Sequence, residues 1–223
     1  MMSISILRLL AILTMCATLA CSAVNAQAVI LPDPAQDIPL ANAKGEATAV
    51  LAGGCFWGIE AVFEHVKGVT GVVSGYAGGE AKTAHYEMVS EGDTGHAESV
   101  RITYDPSQIS YGQLLKVFFS VAHDPTELNR QGPDTGTQYR SAIFYANQEQ
   151  QRVAQAYVDQ LNRAKVFEQP LVTQVTALNA FYQAEAYHQD YAAHHPNDSY
   201  IKYNDLPKVA NLRQQFPKLY KER

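Results

Sequence analysis

Residues 49–66 read AVLAGGCFWGIEAVFEHV. The apolar run Thr48–Ala52 has strand length, and Gly53 and Gly54 supply a turn. Ile59, Val62, Phe63 and Val66 then recur at helical spacing until Gly68 closes the helix. A strand that turns tightly into a helix sets Cys55 at or just before the first helical turn. Unpaired backbone N–H groups and the helix dipole favour negative charge at such a place, so a thiolate is the expected state of Cys55. The glycine pair leaves the approach to the sulfur free of side chains. A solitary cysteine is more often a small buried hydrophobe, which needs no such clearance.

Downstream, GVVSGYAGG (71–79) reads as a second strand entering a glycine-rich loop. ESVRITY (98–104) alternates with period two, Val100, Ile102 and Tyr104 on one face. YGQLLKVFFSVA (111–122) repeats apolar residues at helical spacing and stops near HDPT. The loop RQGPDTGTQYR is followed by a strand in SAIFYA, an amphipathic helix over 148–165 and a last strand in LVTQVTAL. Strand, helix, strand, strand, helix, strand, helix, strand predicts an α+β fold: a ferredoxin-like split βαβ mixed sheet with helices packed on one face. The tail from Phe181 on, rich in Tyr and His, is expected to wrap this single domain, residues 47–223, as short helix and coil.

Upstream, Arg8, an apolar run from Leu9 to about Ala20 and small residues at Val24 and Ala26 read as a secretory signal over 1–26, cut after Ala26. The run falls short of the ~20 residues that span a bilayer. Lipid attachment at Cys21 in TLAC is the alternative, and either outcome exports the domain, to the periplasm of a bacterium. Residues 27–46 hold three prolines and no periodicity, the pattern of a flexible linker. Of three cysteines in 223 residues, Cys16 and Cys21 lie in the signal, so the processed chain carries Cys55 alone and has no structural disulfide. The length suits one compact domain, expected to act as a monomer. A net charge of -5 without any Lys/Arg block argues against nucleic acid as a partner.

Several residues complete a candidate site. Phe56 shares its helical phase with Ile59 and Phe63, whereas Trp57, the one tryptophan, keeps company with Glu60 and Glu64 and reads as the wall of a partly exposed pocket. Glu98 falls on the buried face of its strand, where desolvation would keep it protonated and fit for general acid work. Tyr86, Asp134 and Tyr139 lie on loops, which carry function disproportionately. His96, His123, His188, His194 and His195 show no metal-ligand spacing, so no metal is expected.

GGCFWG, GYAGG, GHAESV, FFSVAHDPT, QGPDTGTQYRS and EAYHQDY, in this order from Gly53 to Tyr191, resemble peptide methionine sulfoxide reductase A. The resemblance implies that Cys55 attacks the sulfoxide sulfur, Phe56 and Trp57 hold the substrate methyl, and Glu98 protonates the departing oxygen. Tyr86 and Tyr139 would hydrogen-bond that oxygen and Asp134 would orient the site. It also implies restriction to one sulfoxide epimer, methionine S-sulfoxide, free or in proteins, and a sulfenic acid on Cys55. Many members carry C-terminal cysteines that resolve this acid; no cysteine follows Cys55 here, and Pro133 stands where Asn is usual. The implied reductant is therefore an external thiol, a small molecule or a thioredoxin-like protein, with no bound cofactor. Two other readings of the residues are a cysteine hydrolase using His96 or His188 as base, and a binding module without chemistry.

Overall fold

A computed structural model describes residues 31–223. The expected signal over 1–26, with Cys16 and Cys21, lies outside the described residues. The first elements are β1 (Ala47–Ala52), α1 (Phe56–Glu64), β2 (Val69–Ala77), α2 (Tyr86–Val89), β3 (Ala97–Tyr104) and α3 (Tyr111–Val117). Next come β4 (Arg130–Gln131), β5 (Asp134–Thr135), β6 (Ala142–Tyr145) and α4 (Gln148–Ala164). The chain ends through β7 (Gln174–Ala177), β8 (Phe181–Gln183), α5 (Tyr191–His194) and α6 (Leu206–Gln215).

The main sheet runs β7-β6-β1-β3-β2-β8, while β4 and β5 form a separate small hairpin. Its centre, β6-β1-β3-β2, is antiparallel throughout and is the split βαβ core; β7 adds parallel to β6 and β8 antiparallel to β2. Period two in β1 sends Ala49 and Leu51 to one face, where they join Val100, Ile102 and side chains of α1, α3 and α4 in the principal core. Val50 and Ala52 face the other side, in a thin second core with Ala97, Ala142 and Phe144 under Leu178 and Phe181. The sheet thus follows the expected α+β class. Among the described residues no helix is long and apolar enough to cross a membrane.

Three local expectations change. The first helix ends at Glu64; Gly68, at φ +86°, makes the turn into β2, where a Cβ would sit 2.7 Å from Ile109. The expected flexible linker is, over its described part, 31–46, a strap laid on α3 and α4. Leu31 is buried, the Tyr157 hydroxyl donates to the Pro32 carbonyl at 2.8 Å, and Asp37 accepts from the Ser110 hydroxyl and, at 2.7 Å, from the Gly112 N–H. Those bonds run through backbone and single side chains, which leave no periodic trace in the sequence. Ser110 and Gln113 also close a capping box at the start of α3, worth about 1 kcal/mol. The tail, finally, is more regular than expected: it contributes an edge strand and the ten-residue α6.

Candidate active site

Cys55 caps α1, and the Gly53-Gly54 turn before it is crowded rather than open. A Cβ on Gly53 would lie 2.7 Å from the His123 ring, and one on Gly54, at φ +96°, 2.5 Å from the Gln131 side chain. The glycines therefore admit the protein's own side chains, and the expected clearance for a substrate is not their role. His123 is buried and fixed by the Phe118 carbonyl at 3.2 Å and the Ser141 hydroxyl at 2.7 Å; burial keeps it neutral by lowering it to about 3.

The β1/β3 pairing, Leu51 opposite Val100, carries on to place Glu98 level with Gly53, two residues before Cys55. Period two then turns Glu98 inward with Val100 and Ile102, leaving it 3% exposed. Its Oε2 accepts the Phe56 N–H at 3.1 Å, satisfying one of the free donors at the start of α1. Burial pushes this acid up to about 8, with Asp134 and Asp205 adding to the rise and the Phe56 N–H and Cys55 thiol opposing it. The carboxyl is protonated at neutral pH.

Cys55 does not hold the expected thiolate. Burial, then the Glu98 and Asp205 carboxyls, hold the thiol well above its ordinary range, against a Trp57 N–H and Lys208. The balance follows from magnitudes: a helix terminus is worth about 1 kcal/mol to an anion, while full desolvation shifts a group by ~3–5 pKa units. Cys55 as a whole is 7% exposed, so desolvation wins.

Cys55, Phe56, Trp57, Tyr86, Glu98, Asp134, Tyr139 and Tyr200 line one cavity of about 190 Å³. Seven of these eight are the residues expected from the sequence, delivered by α1, α2, β3, β5 and the turn at 137–139. Arg140 fastens that turn to the start of β3 through the Thr137 carbonyl at 2.9 Å and the His96 carbonyl at 3.0 Å. Tyr86 starts α2, and its N–H donates at 3.0 Å to Glu185, which also accepts from the Tyr76 hydroxyl at 2.8 Å. Asp134 reaches the cavity on the β4/β5 hairpin, turned at Gly132 and Pro133, and accepts a hydrogen bond from the Tyr200 hydroxyl. Burial raises Asp134, opposed by Tyr200 and Lys208.

Tyr200 and the residues behind it come from the tail and were not foreseen. Trp57 stacks on Tyr191 with ring centroids 3.8 Å apart and meets the edge of Tyr200 at 6.1 Å, so the aromatic wall is three rings deep. His188 packs 5.0 Å from Phe56 and 4.5 Å from Tyr86. The Tyr/His richness of the tail was the available signal, but no periodicity ties those residues to α1.

The hydrolase reading needs a histidine beside the sulfur. Neither His96 nor His188 lines the cavity; His96 is engaged with the Gly79 N–H at 3.2 Å and the Glu80 carbonyl at 3.0 Å. Elsewhere among the described residues, oxygens of Glu60, Glu64 and Asp190 lie within 4.8 Å of one another. Arg223 bridges Glu64 and Asp190 and so supplies that cluster with a cation from the chain itself.

Fold and site together define an α+β oxidoreductase with one cysteine at its centre. The family model for peptide methionine sulfoxide reductase matches residues 47–220. A Mesorhizobium japonicum protein, peptide methionine sulfoxide reductase MsrA 2, is 60% identical over 181 residues, 81% of this chain and 93% of that protein. A Synechocystis protein of the same name is 55% identical over 189 residues, 84% of this chain and 88% of that one. Among solved structures, reduced Mxr1 of Saccharomyces cerevisiae matches with a TM-score of 0.62 at 32% identity, over 71% of this chain and 90% of that one. Methionine sulfoxide reductase A of Corynebacterium diphtheriae matches at 0.59 and 36%, over 68% and 76%. The chain belongs to the peptide methionine sulfoxide reductase A family and is an enzyme of that type.

Proposed function

We propose that the chain reduces methionine S-sulfoxide, free or in proteins, through a sulfenic acid on Cys55 that only an external thiol resolves. The observation that carries this is the single cavity in which a buried thiol and a protonated Glu98 meet three hydroxyls and an aromatic wall. The substrate methyl packs against Phe56 and Trp57, with Tyr191 backing the indole. The sulfoxide oxygen lies toward Glu98, Tyr86 and Tyr139, and Asp134, held by Tyr200, takes a donor from the substrate backbone. Glu98 gives its proton to the oxygen as the Cys55 sulfur attacks the substrate sulfur, and the carboxylate so formed receives the thiol proton. The oxygen passes to Cys55 as sulfenic acid while two electrons reduce the substrate to the thioether. A thiol then displaces water to give a mixed disulfide, and a second thiol releases Cys55 as the free thiol. The proton exchange explains how a thiol that is not ionised at rest can still attack.

We place this activity outside the cytosol, on the strength of the apolar N-terminal segment. The test is a single turnover of the processed protein with one equivalent of each sulfoxide epimer and no reductant. One epimer should yield one methionine per protein and one added oxygen on Cys55 by mass spectrometry, and none with Cys55→Ser. Turnover of both epimers alike, or product without a change at Cys55, would overturn the proposal.

A further inference from the structure

Glu60 lies on α1 one turn beyond Trp57 and is 2% exposed. Beside it the seam between α1 and α5 is apolar: Ala61 packs with Ala192 and Ile201, with Trp57, Tyr191 and Tyr200 at the margin. A carboxyl in such a place is costly, and burial pushes Glu60 up to about 7. Its Oε2 accepts the Asp190 N–H at 3.1 Å, the contact that most opposes that rise.

Asp190 is the residue that aims the chain at the cavity. It takes the left-handed conformation, φ +55° and ψ 24°, which is strained for a residue with a Cβ. Its carbonyl then accepts the Ala193 and His194 N–H groups, each at 3.1 Å, and so begins α5. A strained residue persists only where its surroundings over-determine it. Here Glu60 takes the Asp190 N–H, Arg223 pairs with its carboxylate, and Gln189 just before it binds the N–H and the carbonyl of Ser74, both at 3.0 Å.

The next residue is Tyr191, whose ring stacks on Trp57 at 3.8 Å and 10° from parallel. The indole Nε1 is buried with no hydrogen-bond partner among the described residues, so packing against other rings, not a polar contact, sets the angle of Trp57. Glu60 and Trp57 ride on one helix and keep a fixed separation. The bond from Asp190 to Glu60 therefore decides where Tyr191 lands on the indole.

We propose that Glu60 is a positioning residue: by fixing Asp190 in its left-handed turn it lays Tyr191 on Trp57 and sets the wall against which the substrate packs. The inference rests on Trp57 being the wall of the methyl pocket in the reading above.

Trp57 is the one tryptophan of the chain, so fluorescence reports the stack without interference. In the full chain, Glu60→Met keeps the bulk and removes the acceptor; its emission should shift to the red and become more open to acrylamide quenching. Glu60→Gln keeps an oxygen for the Asp190 N–H and should match the unaltered protein. With a peptide sulfoxide and dithiothreitol, Glu60→Met should raise KM about threefold to tenfold with little change in kcat. Combined with Tyr191→Leu it should raise KM no further than Tyr191→Leu alone, because it acts through that ring. If Glu60→Met does not fold, Glu60→Asp, which withdraws the oxygen by one methylene, takes its place with the same expected results. An unchanged emission, no rescue by Glu60→Gln, or KM effects that multiply in the double variant would overturn the inference. A shifted emission with KM unchanged would uphold the hold of Glu60 on the stack and count against the methyl pocket, so the two readings fail apart.

Discussion

Replacing Glu98 by Gln should stabilise the fold at neutral pH while removing the proton its chemistry needs. In the folded protein this carboxyl keeps its proton up to about 8, against 4.5 for an ordinary glutamate. Between those values the native state binds more protons than the unfolded chain, so the Glu98 contribution to stability falls as pH rises through that window and is level outside it. At pH 7 the separation is about 2.5 units, and at about 1.4 kcal/mol per unit the penalty is about 3 kcal/mol. A glutamine never ionises and can accept the Phe56 N–H as Glu98 does. Its extra donors add an offset of about 1 kcal/mol that does not vary with pH. Urea unfolding of both proteins from pH 5 to 8.5 isolates the effect, because Glu60 and Glu64, raised chiefly by burial to about 7 and about 8, titrate alike in both. The advantage of Glu98→Gln should widen steadily up to about pH 8, while single-turnover sulfoxide reduction falls ~100-fold or more. A stability difference that is flat with pH, or that shrinks as pH rises, would refute the claim that Glu98 is a buried neutral acid.

Other substitutions separate the cavity's parts. Tyr200→Phe removes the hydroxyl that donates to Asp134 and should lower kcat/KM about tenfold with an unchanged melting temperature, read by steady-state kinetics with a peptide sulfoxide. Tyr191→Leu strips the ring stacked on Trp57 and should raise KM about threefold to tenfold with little change in kcat. Asp37→Ala unpins the N-terminal strap from α3 and should cost about 2 kcal/mol in urea unfolding without altering kcat/KM. Between pH 7 and 9.5 the reduction step of the unaltered enzyme should decline above about pH 8 as Glu98 loses its proton, measured by rapid quench.

Much of the site was legible because local rules place it. A strand and a glycine turn put Cys55 at a helix start, and period two put Glu98 inside; neither needs knowledge of distant contacts. The state of Cys55 was not legible, since it depends on how completely β3, the β4/β5 hairpin and the tail exclude water from it. The function of Gly53, Gly54 and Gly58 was hidden for a related reason. Each is bare because His123, Gln131 or Asp205 arrives from far along the chain. Residues 31–46 misled in the opposite sense: three prolines suggest a free linker, yet Asp37 and Tyr157 tie the segment down through bonds that have no period.

By itself the chain's residue order determined the α+β class, the single cysteine among residues 31–223, the inward carboxyl and the aromatic pair. All of these follow from short-range periodicity and from which residue types are present. Tertiary structure alone decided that sulfur and acid are both protonated, that Tyr200 and Tyr191 complete the cavity, and that Asp205 rests on Gly58. Protonation and enclosure depend on desolvation, which is a property of the closed volume and of every segment that closes it.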